Sequence, residues 1–163
     1  MTNIEIIKAK IFKQEQISQL ISSWQSVNEI VVFTNGCFDV IHVGHLINLS
    51  QSADLGTKLI VGLNTDNSVR RLKGPQRPIN SEYDRALILA GFSIVDAVVF
   101  FDSDTPYDLI KMVNPNVLTK GGDYKPTEVV GHDIVTKNGG KVEIIKIVDG
   151  FSSSSIIEKG GLA

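Results

Sequence analysis

The chain has 163 residues, with 42% hydrophobic and 21% charged content and a net charge of −2 from 16 basic and 18 acidic side chains. That is one domain's worth of sequence with enough apolar surface for a real core, which excludes disorder. The slight acidic excess argues against a nucleic-acid coat protein or a basic membrane-surface module, both of which need a clear positive balance.

Residues 1–12 carry no periodicity that assigns them, although Ile4, Ile6, Ile7, Ile11 and Phe12 are expected to pack on the domain edge. The start, MTNIEIIKAK, lacks the basic, apolar and small-residue order of a signal peptide. From Gln14, apolar residues at Ile17, Leu20, Ile21 and Trp24 have the spacing of one helical face. Residues 1–29 therefore read as an extension and a helix packed on a single domain spanning 1–163. Ile30 to Thr34 is the first strand, cut by Asn35-Gly36 and followed by Cys37-Phe38-Asp39. Cys37 is the one cysteine, so no internal disulfide forms and a reducing, cytoplasmic setting is expected. His42, Gly44 and His45 then lead into a helix marked by Leu46, Leu49 and Ala53 that Gly56 ends.

Lys58 to Leu63 is the second strand, with Asn64-Thr65-Asp66 at its carboxyl end and a helical turn at Val69 to Leu72. Lys73 to Pro78 breaks periodicity and reads as a loop carrying two cations. Ser81 to Asp84 fits a capping box opening a helix that stops near Gly91. Val95 to Phe101 is the third strand, and Thr105-Pro106 reads as a capped start of a helix ending by Asn114-Pro115. Val117 to Thr119 is the fourth strand, a weaker helix spans Gly131 to Lys137, and Val142 to Val148 is the fifth strand. Asp149-Gly150 turns into a serine run that opens a last helix at Ile156-Ile157. No apolar run reaches the roughly 20 residues of a membrane span.

Short apolar strands alternating with helices imply a five-stranded parallel sheet covered on both faces, a doubly wound α/β fold. Ligands in such folds sit beyond the carboxyl ends of the strands. Those ends here are Asn35 to Asp39, Asn64 to Asp66, Lys120 to Asp123 and Gly150 to Ser154, which are rich in glycine, hydroxyl, carboxylate and lysine. Two of the three histidines, His42 and His45, also fall at the first strand–helix corner. On their own they read as a helix-capping pair or a chance metal site. At a helix start beside Gly44 they suit a bound anion.

Several chemistries drop out. No G-x-G-x-x-G or Walker loop follows a strand, and no G-x-S-x-G elbow occurs. One cysteine makes a dedicated metal cage unexpected, whereas carboxylates and substrate phosphates would share Mg²⁺. Arg70 and Arg71 read as a solvated face, and Lys73 as a mobile phosphate-binding arm. Lys120 ends a buried strand, where a lone cation is costly, so a ligand or Asp123 is expected as its partner. Ser152, Ser153 and Ser154 read either as capping or as a pyrophosphate cradle.

Thr34-Asn-Gly-Cys-Phe-Asp39 followed by His42-x-Gly-His45 resembles the nucleotidyltransferases that carry an H-x-G-H signature. Arg71-Leu-Lys-Gly-Pro-x-Arg-Pro-Ile79, Lys120-Gly-Gly-Asp-Tyr124 and Gly150-Phe-Ser-Ser-Ser154 resemble the D-glycero-β-D-manno-heptose 1-phosphate adenylyltransferases more narrowly. The resemblance runs from Val31 to Ile157 and implies a Rossmann-like fold of nucleotidyltransferase type. It implies transfer of AMP from ATP to the heptose phosphate, giving ADP-heptose and pyrophosphate for lipopolysaccharide cores. Many relatives carry a sugar kinase ahead of this domain, and this chain resembles a free-standing form.

By the same resemblance, His42, His45 and Lys73 are the catalytic residues. Thr34, Asn35, Gly36, Cys37, Phe38, Asp39, Gly44, Lys120, Gly121, Asp123, Ser152, Ser153 and Ser154 would bind the nucleotide. Asp39, Asp66, Arg77 and Arg85 would contact the sugar phosphate or order its loops, Mg²⁺ would arrive with ATP, and a homodimer is implied. Ile147 stands where cytidylyltransferase branches carry arginine, and Ser153 and Ser154 replace threonines while keeping the hydroxyls. The rival expectations are a CTP-dependent cytidylyltransferase of a polyol phosphate of glycerol 3-phosphate type, and a nucleotide-binding module without catalysis.

Overall fold

The apolar blocks of the sequence become one all-parallel sheet in the computed structural model, which describes residues 1–161. Its strands are β1 (Ile11–Phe12), β2 (Val31–Gly36), β3 (Lys58–Asn64), β4 (Ala97–Phe101), β5 (Val117–Gly121) and β6 (Lys141–Ile145). Their spatial order is β1-β4-β3-β2-β5-β6. The helices are α1 (Asn3–Lys8), α2 (Gln14–Ser26), α3 (Val43–Ala53), α4 (Asp66–Lys73), α5 (Glu82–Gly91), α6 (Tyr107–Val113), α7 (His132–Lys137) and α8 (Ser153–Lys159). Among the described residues, no helix is long and apolar enough to cross a membrane.

Both faces of the sheet are covered, which is why the strands read as unbroken apolar runs. On one face Val31, Phe33, Ile60 and Val99 pack with Ile17 and Ile21 of α2, Leu109 and Ile110 of α6, and Val135 of α7. On the other, Val32, Leu59, Val61 and Val98 pack with Leu49 of α3 and Ala86 and Leu89 of α5. Each fully buried Leu, Ile, Val or Phe side chain contributes about 2 kcal/mol.

The sheet has six strands rather than the expected five. The added one comes from the segment that sequence left unplaced: Ile11 and Phe12 pair with Val98 and Val99 of β4. A two-residue strand is too short to show an alternation, so only the pairing reveals it. Lys10 fastens this edge, its Nζ donating to the Val95 carbonyl at 2.8 Å and to the Phe92 carbonyl at 3.3 Å.

Several element ends also shift, among them the start of β4, at Ala97 rather than Val95, and the start of α4, at Asp66 rather than Val69. Lys73 is the last residue of α4 rather than part of a loop, because Thr65 caps that helix through Ser68 N–H. Pro106, not Thr105, is the N-cap of α6. β5 runs on to Gly121, while β6 stops at Ile145, which leaves 146–148 outside the sheet.

From the central β2 the chain builds outward through β3 and β4, then crosses over to β5 and β6 on the other side. Asn116 closes the start of that second half, its Oδ1 accepting from Val31 N–H at 2.8 Å. The direction of winding thus reverses between β2 and β5, and the crevice beyond their carboxyl ends is where such a fold takes a ligand.

Candidate active site

The corner after β2 is built tightly. Phe38 holds a left-handed conformation, φ 47°, that a bulky residue rarely adopts. Its buried ring lies 5.1 Å from that of His45. His42 is the N-cap of α3 and its Nδ1 accepts from Gly44 N–H at 3.1 Å, while its own N–H donates to His45 Nδ1 at 3.3 Å. The two imidazoles stack with centroids 3.9 Å apart.

With each Nδ1 accepting a backbone hydrogen, the neutral form of each ring carries its proton on Nε2. Burial lowers the pKa of both. His45 falls to about 4, through burial first and then through His42 and Lys73. The pair is therefore neutral near pH 7, and each ring has one outward N–H. Gly44 lines the cavity at a point where no side chain fits. A Cβ there would lie 3.0 Å from the His42 ring and 3.1 Å from Phe151 Cβ, so protein occupies that space.

Asp39 and Arg85 hold the neighbouring loops. The buried Asp39 carboxylate accepts from Ile79 N–H at 2.8 Å, Asn80 N–H at 2.9 Å and Arg77 Nε at 2.6 Å. Burial alone would raise its pKa, but these hydrogen bonds and the Arg77 charge lower it overall. Arg85 is fully buried and donates to the carbonyls of Asn80, Cys37 and Asn64 and, at 2.8 Å, to Asp66 Oδ1. Asp66 N–H in turn donates to Glu82 at 2.6 Å. Of the four residues expected at the substrate, Asp39, Asp66 and Arg85 are thus engaged with protein, and Arg85 and Asp66 do not line the cavity. Arg77 does line it, and its Nη2 is buried with no hydrogen-bond partner among the described residues.

A cavity of about 590 Å³ lies over the carboxyl ends of β2 and β5, within the size range of small-molecule sites. His42, His45 and Lys73 line it together with every expected nucleotide contact except Asp123, which is exposed. Nor is Asp123 the partner of Lys120. Among the described residues Lys120 forms no ion pair, its Nζ lies 5.9 Å from the Tyr124 ring, and burial lowers its pKa.

The serines divide their roles. Ser152 caps α8 through Ser155 N–H at 3.0 Å, Ser153 donates to the Val40 carbonyl at 2.8 Å, and Ser154 is exposed at the cavity wall. Arg71 is not simply solvated. Its Nε lies 2.9 Å from Asp104, tying α4, and so Lys73, to the β4–α6 loop.

Sequence reasoning missed other wall residues. Asn48 stands three residues after His45 on α3, so helical spacing alone would have found it. Asp104 to Pro106 and Lys146 to Val148 also line the cavity, whereas sequence marks Thr105-Pro106 only as a helix start and Ile147 only as the place of an arginine in cytidylyltransferases. The cavity's two carboxylates, Asp39 and Asp104, are both held by arginines. Among the described residues no group of three or more His, Cys, Asp and Glu could hold a metal.

Comparison with known proteins agrees with this architecture. The family model described as cytidylyltransferase-like matches residues 33–159. The bifunctional protein HldE of Syntrophotalea carbinolica is 50% identical over 151 residues, which are 93% of this chain and 31% of that protein. The bifunctional protein HldE of Campylobacter curvus is 51% identical over 150 residues, which are 92% of this chain and 31% of that protein. The chain thus spans less than a third of the length of these relatives. A crystal structure of the lipopolysaccharide core biosynthesis protein from Thermoplasma volcanium superposes with a TM-score of 0.62 at 26% identity, covering 74% of this chain and 98% of that one.

Proposed function

The chain belongs to the cytidylyltransferase-like family, and we propose that it transfers AMP from ATP to D-glycero-β-D-manno-heptose 1-phosphate, giving ADP-heptose and pyrophosphate for the lipopolysaccharide core. The motif set from Thr34 to Ser154 supports this reading, as does identity near 50% with HldE proteins over more than nine-tenths of the chain.

The observation that carries the mechanism is the reciprocal capping of His42 and His45. An oxygen of the sugar phosphate attacks the α-phosphorus of ATP, a new P–O bond forms, and the bond to the β-phosphate bridging oxygen breaks. The nucleophile is already an anion near neutral pH, since the second pKa of a phosphate monoester is about 6, so it needs no general base. His45, with a pKa of about 4, is a poor base and already has a proton on Nε2. What the reaction needs is positioning and stabilisation of charge on the leaving pyrophosphate.

Neutral Nε2–H donors on the triphosphate, with Lys73 closing over it, supply that stabilisation. Ser152 to Ser154 at the start of α8 hold the departing pyrophosphate. ATP enters as its magnesium complex. Because Asp39 and Asp104 are already held by arginines, phosphate oxygens and water would coordinate the metal. A cytoplasmic homodimer is part of the same reading, and light scattering giving twice the 17.8 kDa chain mass checks it.

The deciding experiment measures pyrophosphate release with ATP or CTP crossed against heptose 1-phosphate and glycerol 3-phosphate. Turnover is expected with ATP and the heptose phosphate. Turnover only with CTP and the polyol phosphate would replace this reading with the cytidylyltransferase one. ATP binding without turnover of any acceptor would reduce the chain to a nucleotide-binding module.

A further inference from the structure

Thr65, Ser68 and Arg71 recur every three residues along one face of α4 and its N-cap, and each bonds the chain at the end of β4. Thr65 N–H donates to the Phe101 carbonyl at 3.0 Å, and its hydroxyl donates to the Asp102 carboxylate. Ser68 Oγ donates to the Ser103 carbonyl at 3.2 Å. Arg71 Nε donates to Asp104 Oδ1 at 2.9 Å and Nη2 to the Asp102 carbonyl, while Nη1 lies 3.7 Å from the Asp102 carboxylate. The row thus climbs α4 as the partner loop runs from Phe101 to Asp104.

Arg71 is its last member and sits in the turn that ends the helix. Lys73 is the final helical residue, and Gly74 turns away at φ 97°, where even a Cβ would meet nothing within 4 Å. Among the described residues, Arg71 is the one side chain of 70–73 that hydrogen-bonds outside α4. Helix ends fray when nothing holds them. Lys73 and the stretch Asp104 to Pro106 line the cavity, whereas Arg71 does not. The arginine therefore fastens the helix end that carries Lys73 to the wall that Lys73 faces the cavity beside.

We propose that Arg71 is a positioning residue, which clamps the end of α4 to Asp102 and Asp104 and so sets Lys73 over the bound phosphates. This rests on the proposed function, in which Lys73 closes over the triphosphate. A displacement of about 1 Å in a charge-stabilising group is enough to cost a large factor in rate. Asp104 itself lines the cavity, so losing its charge and losing the clamp act in opposite directions on a bound anion. Removal of a carboxylate from the wall strengthens anion binding by the field alone. Removal of the clamp weakens it, because the anion must then order Lys73.

The test is a pair of double-mutant cycles. In the transferase assay, Arg71→Gln and Asp104→Ala should each lower kcat about tenfold. Against a Lys73→Ala background each should change kcat less than twofold. Melting temperatures should fall by no more than a few degrees, since exposed ion pairs add little to stability. Magnesium-free tripolyphosphate, titrated by calorimetry, reads the same clamp without turnover. Its affinity should drop several-fold in Lys73→Ala and in Asp104→Ala, and Asp104→Ala should cause no further loss once Lys73 is gone.

Three results overturn the proposal. One is tripolyphosphate binding that is unchanged or tighter in Asp104→Ala with Lys73 present. Another is a loss of kcat in Arg71→Gln that is as large without Lys73 as with it. The third is tripolyphosphate affinity that ignores Lys73→Ala. If no acceptor is turned over, the proposed function fails, while the tripolyphosphate cycle still decides the clamp.

Discussion

Arg85→Met separates a buried framework arginine from a substrate-binding one. The guanidinium is fully buried, with Nε 3.1 Å from the Asn80 carbonyl and Nη1 2.6 and 2.9 Å from those of Cys37 and Asn64. Its Nη2 lies 2.8 Å from Asp66 Oδ1. Methionine fills most of the aliphatic stem but strands three carbonyls and one carboxylate. Removing one partner of a buried ion pair costs about 3–5 kcal/mol. Asp66 keeps 27% of its side chain exposed and recovers some hydration, which brings the expected loss to about 3 kcal/mol.

For a domain of this size each kcal/mol lowers the melting temperature by roughly 2–4 °C, so the drop should be about 6–12 °C. Urea unfolding at pH 7.5 should show a lower midpoint with an unchanged m value, the mark of lost native stability. An arginine that served the substrate would leave the melt unchanged and raise KM for the sugar phosphate. That pattern, with a melting shift under about 2 °C, would refute the framework role.

Three further outcomes follow from the same corner. His45→Ala should lower turnover by about two orders of magnitude or more, as for loss of one preorganised donor, while the loss of its cap bond costs about 1 kcal/mol in urea unfolding. Gly44→Ala pushes a methyl to within 3.0–3.1 Å of the His42 ring and Phe151. It should cost about 1–3 kcal/mol by melting and lower kcat more than it changes KM for ATP. Because the folded His45 pKa of about 4 lies below its ordinary 6.5, the unfolded chain takes up the proton first. This contribution to stability is therefore complete above pH 6.5 and is lost as pH falls toward 4. After discounting a half-buried group for solvent screening, the unfolding free energies from urea titrations at pH 7 and pH 5 should differ by about 1 kcal/mol more in the wild type than in His45→Ala.

The strands were legible because β2 to β5 are mostly buried on both faces and read as apolar blocks, while the edge strand β6 still carries Val142, Ile144 and Ile145. Ile11–Phe12 was not, since its evidence is a partner strand more than 80 residues away. The cavity wall was legible where glycine, histidine and hydroxyl cluster at strand ends, from Thr34 to His45 and from Ser152 to Ser154. What sequence did not give was the division of labour among charged groups. Asp39, Asp66, Arg77 and Arg85 look alike in sequence as polar residues near a phosphate site. Only their partners separate the framework residues from Arg77, which keeps a free donor. Asn48 was hidden for a simpler reason: an asparagine on a helix attracts notice only once His45 has fixed which face matters.

Capping and phosphate binding, read from sequence as alternatives for the two histidines, are compatible in the structure: the capping bonds use only Nδ1 of each ring. A serine or aspartate at position 42 would satisfy Gly44 N–H, since helix N-caps need only an acceptor. Aspartate would then present a negative charge to an incoming triphosphate, and serine would leave no rigid donor reaching outward. An imidazole accepts with one nitrogen and donates with the other, two atoms on opposite sides of a flat ring. Using Nδ1 for the backbone therefore fixes both the tautomer and the direction of Nε2–H before any ligand arrives. Burial keeps the rings uncharged, so two of them can stack at 3.9 Å without repulsion. Under the proposed function, the charge that develops on the leaving pyrophosphate meets donors whose orientation the start of α3 has already set, which is the condition for preorganised stabilisation.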